Sequence, residues 1–370
     1  MDTKNTTTTG AAALGNAGVP PADEGRPDPR PDRGQMQGAG RTLSAGGTPA
    51  LPVNCTAPAP TLFDFQINGF AGVDYQRHEL TAAQLRASIV ALRAHGVAAI
   101  FLTLITDTID RLAAQFARVE RHRAADPLLA QTIVGYHLEG PWLNPEPGYR
   151  GAHPAAPMRA PDLADFTRLQ TAANNNIRLV TLAPEWPGSP AFIAELTRQN
   201  IHTSIGHSNA TAADIDAAIR SGARFCTHLG NGVPLTQPRH DNIIQRLLAR
   251  DELTACFIPD GLHIPPFALK NYVRAKPAGK ILFTTDCMSA AGAPPGNYTL
   301  GDLEVRVASD NIARNPDGGF AGSTLTPDCG VGLTAQYLNL TLSEAHALWS
   351  THAAAAFGVK IPNPKIPNPK

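Results

Sequence analysis

Residues that can bind a metal ion or move a proton recur along this chain, each close to the end of a short apolar run. In chain order they are Gln66, Asn68, Glu139, His207, His228, Asp260, His263 and Asp286. One glutamate and two histidines form a good ligand set for a borderline divalent ion, because three protein ligands leave one coordination position open for water. An aspartate such as Asp286 can accept a proton from that water, whose pKa the metal lowers towards about 7, and return it to a leaving nitrogen. The residue types therefore predict metal-assisted hydrolysis.

Taken singly, such residues are weak indicators, because an isolated histidine is more often structural than a ligand. His137 alternates with Glu139 along one run, and we expect a packing or supporting role for it. Glu185 follows another run and could either organise a loop or support the site. Cys226 and Cys256 lie within apolar runs, where we expect small buried side chains. Structural roles are expected for His78, His95, His122, His202, His346 and His352.

The elements that must position these residues are eight short apolar or β-branched runs separated by helix-like segments. The runs cover 61–67, 97–104, 132–139, 177–184, 201–207, 223–229, 253–261 and 280–286. Two of the helical segments, 80–96 and 211–222, open with a threonine near a plausible N-cap. Eight alternations predict an α/β fold, a (β/α)8 TIM-type barrel, in which the carboxyl ends of all strands meet at one mouth.

The remaining segments are expected to lie outside the strand and helix alternation. Residues 1–60 are rich in Pro and Gly without an apolar period, which predicts a disordered leader before a barrel domain over 61–358. Turn residues around the alternating sequence LEVRVA predict a hairpin insertion near 294–320. A late helix is expected over 343–358, and 359–370, which repeats IPNPK, is expected to be a tail.

Composition excludes several classes of partner. The chain has 370 residues with 31 Lys plus Arg and 31 Asp plus Glu, so its net charge does not favour binding to nucleic acid or to an acidic membrane surface. No apolar run approaches the roughly 20 residues that cross a bilayer. The five cysteines are widely spaced and include no CxxC pair, and the N-terminus has no secretory signal pattern. These features predict reduced cysteines and a cytoplasmic location.

Eight segments resemble the N-acetylglucosamine-6-phosphate deacetylases of the amidohydrolase superfamily. They are DFQINGFAGVDY, HLEGPWLNPEPGYRGAH, TLAPE, GHSNAT, THLGNG, DGLH, TTDCMSAAGAPPGNYTLG and AGSTLT, and they follow the order of that family from about Phe63 to Thr326. The resemblance implies an amino-sugar deacetylase with one divalent ion per subunit, zinc first and Fe²⁺ or Co²⁺ as alternatives. It implies Glu139, His207 and His228 as metal ligands and Asp286 as the catalytic acid and base.

The same resemblance implies the groups that contact the substrate. His153, in the GAH element, is expected to polarise the acetyl carbonyl. His263 and Asn231 are expected to contact the sugar phosphate from the same subunit, and Arg239 to do so across a homodimer interface. Charge-assisted hydrogen bonds from such a local cluster compensate the desolvation of a phosphate.

The chain departs from the family pattern at three places. Gln66 and Asn68 replace the His-x-His common in the superfamily, which favours one metal ion over two and places both amides at the substrate site. Gly232 and Val233 stand where the family usually has Ala and Met, which implies a reshaped sugar pocket. The small β-sandwich domain of typical members is not apparent, which implies a compact form of the family.

Several functions remain open at this stage. The enzyme could act on N-acetylglucosamine 6-phosphate or on another acetylated amino sugar such as N-acetylgalactosamine 6-phosphate. A non-catalytic sugar-phosphate sensor on an enzyme scaffold has no need for Glu139, His207, His228 and Asp286 together. A structural barrel with incidental polar residues does not explain their placement at strand ends.

Overall fold

The computed structural model describes residues 61–362 of the chain. The strands are β1 Leu62–Ile67, β2 Gly69–Phe70, β3 Val73–Asp74, β4 Val97–Ile105, β5 Ile133–Glu139, β6 Ile177–Leu182, β7 His202–Ile205, β8 Phe225–Cys226, β9 Thr254–Phe257, β10 Ile281–Phe283, β11 Gly296–Leu300, β12 Leu303–Val307 and β13 Ala313–Arg314. The helices are α1 Ala82–Ala94, α2 Ile109–Ala125, α3 Pro127–Thr132, α4 Leu163–Ala172, α5 Ser189–Arg198, α6 Ala212–Ser221, α7 Ile243–Leu248, α8 Pro266–Ala275, α9 Pro327–Leu338, α10 Leu342–Trp349 and α11 Thr351–Ala356.

Eight parallel strands form a single sheet in the order β1-β4-β5-β6-β7-β8-β9-β10, with helices between successive strands. This arrangement confirms the predicted (β/α)8 barrel. Each of the eight apolar runs contains one barrel strand, but the later strands are shorter than the runs because their last residues turn into the loops. The predicted leader over 1–60 and the tail from 363 onwards lie outside the described residues.

The sheet closes at a seam between β10 and β1 that differs from the other strand pairs. Main-chain pairing there consists of one bridge between Ile67 and Cys287, together with a hydrogen bond from the Asn68 amide to the Cys287 carbonyl. Within residues 61–362 no longer ladder joins these two strands. The seam runs directly beside Asp286, at the carboxyl ends of the strands.

Helix starts follow the capping chemistry expected from the sequence. The side chains of Thr81 and Thr211 each accept a hydrogen bond from the main-chain amide of the third helical residue, and the main-chain amide of each threonine donates to the side chain of that residue, so α1 and α6 begin with capping boxes. These contacts confirm the predicted threonine caps. They satisfy main-chain amides that a helix leaves without partners at its N-terminus.

The interior near the amino ends of β1 and β8 is filled by an aromatic cluster centred on Phe357. Its ring lies 4.6 Å from that of Phe225 and 4.9 Å from that of Phe65, measured between centroids. Phe357 reaches this position because the chain breaks at Ser350, which separates α10 from α11. The expectation of one continuous helix over 343–358 is therefore wrong.

A three-stranded antiparallel sheet, β11 to β13, follows the last barrel strand and packs through Leu300, Val305 and Val307.

Cys226 and Cys256 are buried free thiols, as expected. Cys329 is disulfide-bonded, so the expectation of reduced cysteines is wrong at this position. No helix among the described residues is long and apolar enough to span a membrane.

Candidate metal centre and active site

Three buried ligand groups meet at the carboxyl ends of β5, β7 and β8. Glu139, His207 and His228 place one ligand atom each within 4.8 Å of one another. The Nε2 atoms of the two histidines are 3.0 Å apart, and they lie 3.4 and 3.2 Å from Oε1 of Glu139. Ligand atoms about 2.0 to 2.1 Å from a tetrahedral ion are separated by about 3.3 Å, so the observed spacing fits a zinc-sized cation.

Contacts behind two of the three groups orient them towards a common point, whereas Nδ1 of His228 is buried without a hydrogen-bond partner among the described residues. The ring of His207 donates from Nδ1 to the Tyr149 carbonyl at 2.8 Å, which leaves a lone pair on Nε2. The side-chain amide of Gln66 donates to both carboxylate oxygens of Glu139 at 3.2 Å. Burial opposes ionisation of Glu139, but hydrogen bonds with the two histidines hold its pKa well below the ordinary value. The centre therefore offers one carboxylate and two imidazole rings, which is the donor set that a borderline divalent ion prefers.

The backbone is strained at three of the functional positions. His207, His228 and Asp286 have φ values of 51°, 29° and 49°, in the left-handed region that non-glycine residues seldom adopt. Such conformations persist only where the surrounding structure enforces them, and they are frequent at active sites. All three residues lie two or three positions after the end of their strand, and their side chains line one cavity.

Asp286 lies beside this centre and is buried. The amide of Asn68 donates to its Oδ1 at 2.8 Å. Burial and then the charge of Glu139 raise the pKa of Asp286 to about 7, against the opposing effects of His228, His263 and Asn68. A carboxyl group with such a pKa can both accept and release a proton near neutral pH.

His153 is the second buried group that could act on a substrate. Its Nδ1 contacts Thr106 Oγ1 at 2.9 Å, and its Nε2 lies 3.8 Å from Oε2 of Glu139. Burial, followed by the charge of His207, lowers the pKa of His153 to about 3, so the ring is neutral. A neutral imidazole held through Nδ1 presents Nε2 to the centre as a hydrogen-bonding group.

A cavity of about 480 Å³ opens above the centre and joins the candidate residues. Its lining includes the metal-ligand set together with Asn68, His153, Asn231, Gly232, His263 and Asp286. Candidate residues at the ends of six different strands and in two loops therefore line one cavity. The volume is typical of small-molecule sites.

Comparison with models of known protein families finds no match. The chain is similar to the N-acetylglucosamine-6-phosphate deacetylase of Bacillus subtilis, at 30% identity over 81% of this chain and 75% of that protein. It is 34% identical to the human protein of the same name, over 82% of this chain and 75% of that protein. The chain belongs to the N-acetylglucosamine-6-phosphate deacetylase family. It is also 31% identical to the N-acetylgalactosamine-6-phosphate deacetylase of Escherichia coli O157:H7, over 81% of this chain and 78% of that protein.

Solved structures of N-acetylglucosamine-6-phosphate deacetylases share the same architecture. A variant from Mycobacterium smegmatis in complex with N-acetyl-D-glucosamine-6-phosphate aligns with a TM-score of 0.73 at 29% identity, covering 81% of this chain and 78% of that one. The enzyme from Thermotoga maritima aligns with a TM-score of 0.71 at 26% identity, over 81% of this chain and 78% of that one.

In this deacetylase family member, His263 lies in the lining of the cavity and is held by an acidic neighbour. Its Nδ1 lies 2.6 Å from Oδ2 of Asp260, whose Oδ1 accepts hydrogen bonds from the amides of Leu262 and His263. Burial alone lowers the pKa of His263, but Asp260 outweighs burial and raises it above the ordinary value. The ring of Phe320 packs against His263 at 5.0 Å. The cavity lining therefore includes an imidazole that holds its proton more readily than a free histidine does.

Gly232 is packed against a metal-ligand candidate. A Cβ added there would lie 2.8 Å from Nδ1 of His207, and the residue has a φ of +61°. Gly151 also approaches this ring, with an added Cβ 2.9 Å from its Cε1. The two glycines let loops close over His207, so a side chain at Gly232 would displace the ring or the loop.

Two of the expected substrate contacts lie elsewhere than in the cavity lining. Gln66 is buried beneath the cavity and donates to Glu139. Arg239 is exposed and is not among the residues that line this cavity. An approach of Arg239 to the site of another subunit remains a prediction.

Supporting residues were only partly indicated by the sequence. Glu185 accepts hydrogen bonds from Asn144, Ser208 and the Asn209 amide, and thereby ties the loop after His207 to the loop after β5. His137 bridges hydroxyl groups of Thr181 and Thr103 below Glu139. The roles of Thr106, Tyr149 and Phe320 were missed, because no spacing pattern distinguishes them from ordinary loop residues.

Proposed function

We propose that this protein hydrolyses the N-acetyl group of an amino-sugar 6-phosphate, with N-acetylglucosamine 6-phosphate as first candidate, to give acetate and the free amine. The observation that carries the proposal is the convergence of Glu139, His207, His228 and Asp286 in one cavity. Sequence relatives that are named for this activity support the choice of substrate class.

The metal centre would be held by Glu139, His207 and His228, with one divalent ion for each chain. Such an ion, when bound, acidifies a water molecule and polarises the amide carbonyl. Zn²⁺ is our first candidate, because the 3.0 to 3.4 Å spacing suits a tetrahedral ion. The same donors also accept Fe²⁺ or Co²⁺.

Asp286 and His153 would carry out the proton transfer and the charge stabilisation. Asp286 accepts a proton from the attacking water, and Asn68 holds its carboxylate through Oδ1. His153 donates from Nε2 to the acetyl oxygen as negative charge develops there. Asp286 then delivers its proton to the nitrogen as the carbon–nitrogen bond breaks.

The phosphate would lie at the rim of the cavity. His263 supplies positive charge there, because Asp260 favours the protonated ring, and Asn231 and Gly232 line the adjacent wall. We infer that Arg239 adds a further positive group from the second subunit of a homodimer. Since a phosphorylated sugar does not cross a bilayer unaided, a cytoplasmic location suits this substrate.

N-acetylgalactosamine 6-phosphate is the second candidate. It is supported by the 31% identity to a deacetylase named for that sugar. A sugar-phosphate sensor would gain nothing from a buried carboxyl group with a pKa near 7 beside a metal-ligand set.

The test is acetate release by the metal-loaded protein from a panel of N-acetyl sugars, each with and without a 6-phosphate. We expect turnover of at least one 6-phosphate and a large loss of kcat/KM without the phosphate. Equal rates with and without phosphate would refute the roles of His263 and Arg239. Binding without acetate release would favour the sensor.

A further inference from the structure

Asp64 is a buried carboxylate that the proposed chemistry does not use. It lies on β1 with none of its surface exposed, and it does not line the cavity. Its Oδ1 accepts from Thr284 Oγ1 at 2.5 Å and from the Gln66 amide at 3.2 Å. Its Oδ2 accepts from the amide and the hydroxyl of Thr285 at 3.0 and 2.6 Å. Four donors therefore converge on one carboxylate inside the barrel.

Three of these four hydrogen bonds cross the seam where main-chain pairing is sparse, and the one from the main-chain amide of Gln66 stays within β1. Thr284 and Thr285 follow β10 directly, while Asp64 and Gln66 belong to β1. The Ile67–Cys287 bridge lies beyond them towards the mouth. Between the other barrel strands, main-chain hydrogen bonds join neighbouring strands. At the seam, the side chain of Asp64 supplies cross-strand hydrogen bonds instead.

The residues on both sides of the seam are close in sequence to active-site residues. Thr285 immediately precedes Asp286, whose φ of 49° must be enforced by its surroundings. Gln66 donates to Glu139, and Asn68, two residues further on, donates to Asp286. A shift of β1 against the end of β10 would therefore alter the position of Asp286 relative to Glu139.

We infer that Asp64 is a positioning residue, which clamps β1 to the end of β10 and so sets the distance between Asp286 and the metal centre; this inference rests on the proposed function. Burial raises the pKa of Asp64, and the four donors that converge on its oxygens oppose this effect. Hydrogen bonds to the ionised carboxylate are shorter and stronger than those between neutral groups, which suits a clamp. A displacement of about 1 Å at reacting groups can cost about a hundredfold in rate.

The first variant is Asp64→Asn, which keeps the shape but turns one acceptor oxygen into a donor facing other donors. Two further variants alter Thr285. Thr285→Val removes the hydroxyl donor at nearly constant volume, and Thr285→Ser keeps the hydroxyl donor. Asp328→Asn is the matched control. Asp328 is also a buried aspartate that accepts from a threonine hydroxyl and a main-chain amide, and it pairs with His95 at 3.0 Å. It lies in the first turn of α9 and does not line the cavity.

We expect Asp64→Asn and Thr285→Val to lower kcat by roughly tenfold to a hundredfold, with KM and bound metal within about twofold of wild type. Thr285→Ser should restore most of the rate. Asp328→Asn should lower the thermal midpoint without changing kcat. If Asp64→Asn does not fold, the Thr285 pair decides by itself.

The inference is overturned if Asp64→Asn or Thr285→Val keeps the wild-type kcat, or if the two lose metal in proportion to activity. Crystal structures of wild type and Asp64→Asn add a readout that does not depend on turnover. Loss of the 2.8 Å contact between Asn68 and Asp286 supports the clamp, and an unchanged contact contradicts it. If the wild type releases no acetate at all, the proposed function fails, while these structures still decide the role of Asp64.

Discussion

The side-chain amide of Asn68 donates a 2.8 Å hydrogen bond to Oδ1 of Asp286, although the two residues are 218 positions apart in the chain. The contact joins the first and last barrel strands at the mouth. It stabilises the ionised form of Asp286, whose pKa burial and Glu139 raise to about 7. The amide thereby helps to keep the carboxyl group able to accept a proton near neutral pH.

Replacing Asp286 with Asn should leave the metal content nearly normal and lower kcat by about 10²- to 10⁴-fold, because proton transfer by a positioned group contributes about that much. Metal analysis and acetate release measured on the same sample check this. Asp302→Asn is a suitable control, since Asp302 is largely exposed and pairs with Arg111. Wild-type turnover in Asp286→Asn would remove the assigned role.

Replacing Asn68 with Ala should shift the acid limb of the kcat profile to higher pH. The general base must be ionised, and loss of the amide donor disfavours the ionised carboxylate, so activity should begin to fall at a higher pH than in wild type. Asn68→Asp should shift the limb further, because a second carboxylate repels the first. Profiles that coincide for all three proteins would contradict this account.

Removal of the metal ion should abolish turnover and lower the thermal midpoint. A bound ligand at about a hundred times its Kd stabilises the folded state by about 2.7 kcal/mol, and this contribution vanishes with the ion. His207→Ala should lose the ion, because it removes one of three ligand atoms, whereas His202→Ala should retain it, since His202 packs against Phe225 and Phe357 in the barrel interior. Elemental analysis and thermal unfolding before and after chelation measure both effects.

Replacing Asp260 with Asn should raise KM for the phosphorylated sugar with little change in kcat. Asp260 raises the pKa of His263, so without it the ring loses its proton at a lower pH and binds the phosphate less well. In wild type KM should rise as pH increases through the pKa of His263, and in the variant this rise should begin at lower pH. The unphosphorylated sugar provides the control, because its KM should depend neither on the Asp260→Asn substitution nor on the protonation of His263.

Replacing Phe357 with Ala should destabilise the barrel by about 3 to 5 kcal/mol, as expected for the loss of a buried aromatic ring. The ring packs on Phe63, Phe65, Phe101 and Phe225 near the amino ends of the strands, away from the metal centre. Denaturant unfolding should show the loss, while kcat and KM of the folded fraction stay near wild type. Phe267→Ala is the matched control, since that ring is 72% exposed.

The amino-acid sequence by itself determined the number and order of the barrel strands and the kinds of polar residue at their ends. Hydrophobic period and capping chemistry are local properties, so they can be read along the chain without knowledge of tertiary contacts. Glu139, His207, His228 and Asp286 could be singled out for the same reason, since each lies at or within one residue of the end of an apolar run. The break at Ser350 was missed, because the helical period continues through it and only the packing of Phe357 requires it.

Only the tertiary structure decided what each polar group does. Gln66 donates to Glu139 instead of lining the cavity, Asp260 acts through His263, and Asp64, which resembles any polar residue in a strand, receives four hydrogen bonds at the seam. These roles depend on distances between side chains far apart in the chain. Such distances arise from the closure of β1 against β10 and from the strained backbone at His207, His228 and Asp286. Neither feature produces a periodic pattern in the sequence from which it could be predicted.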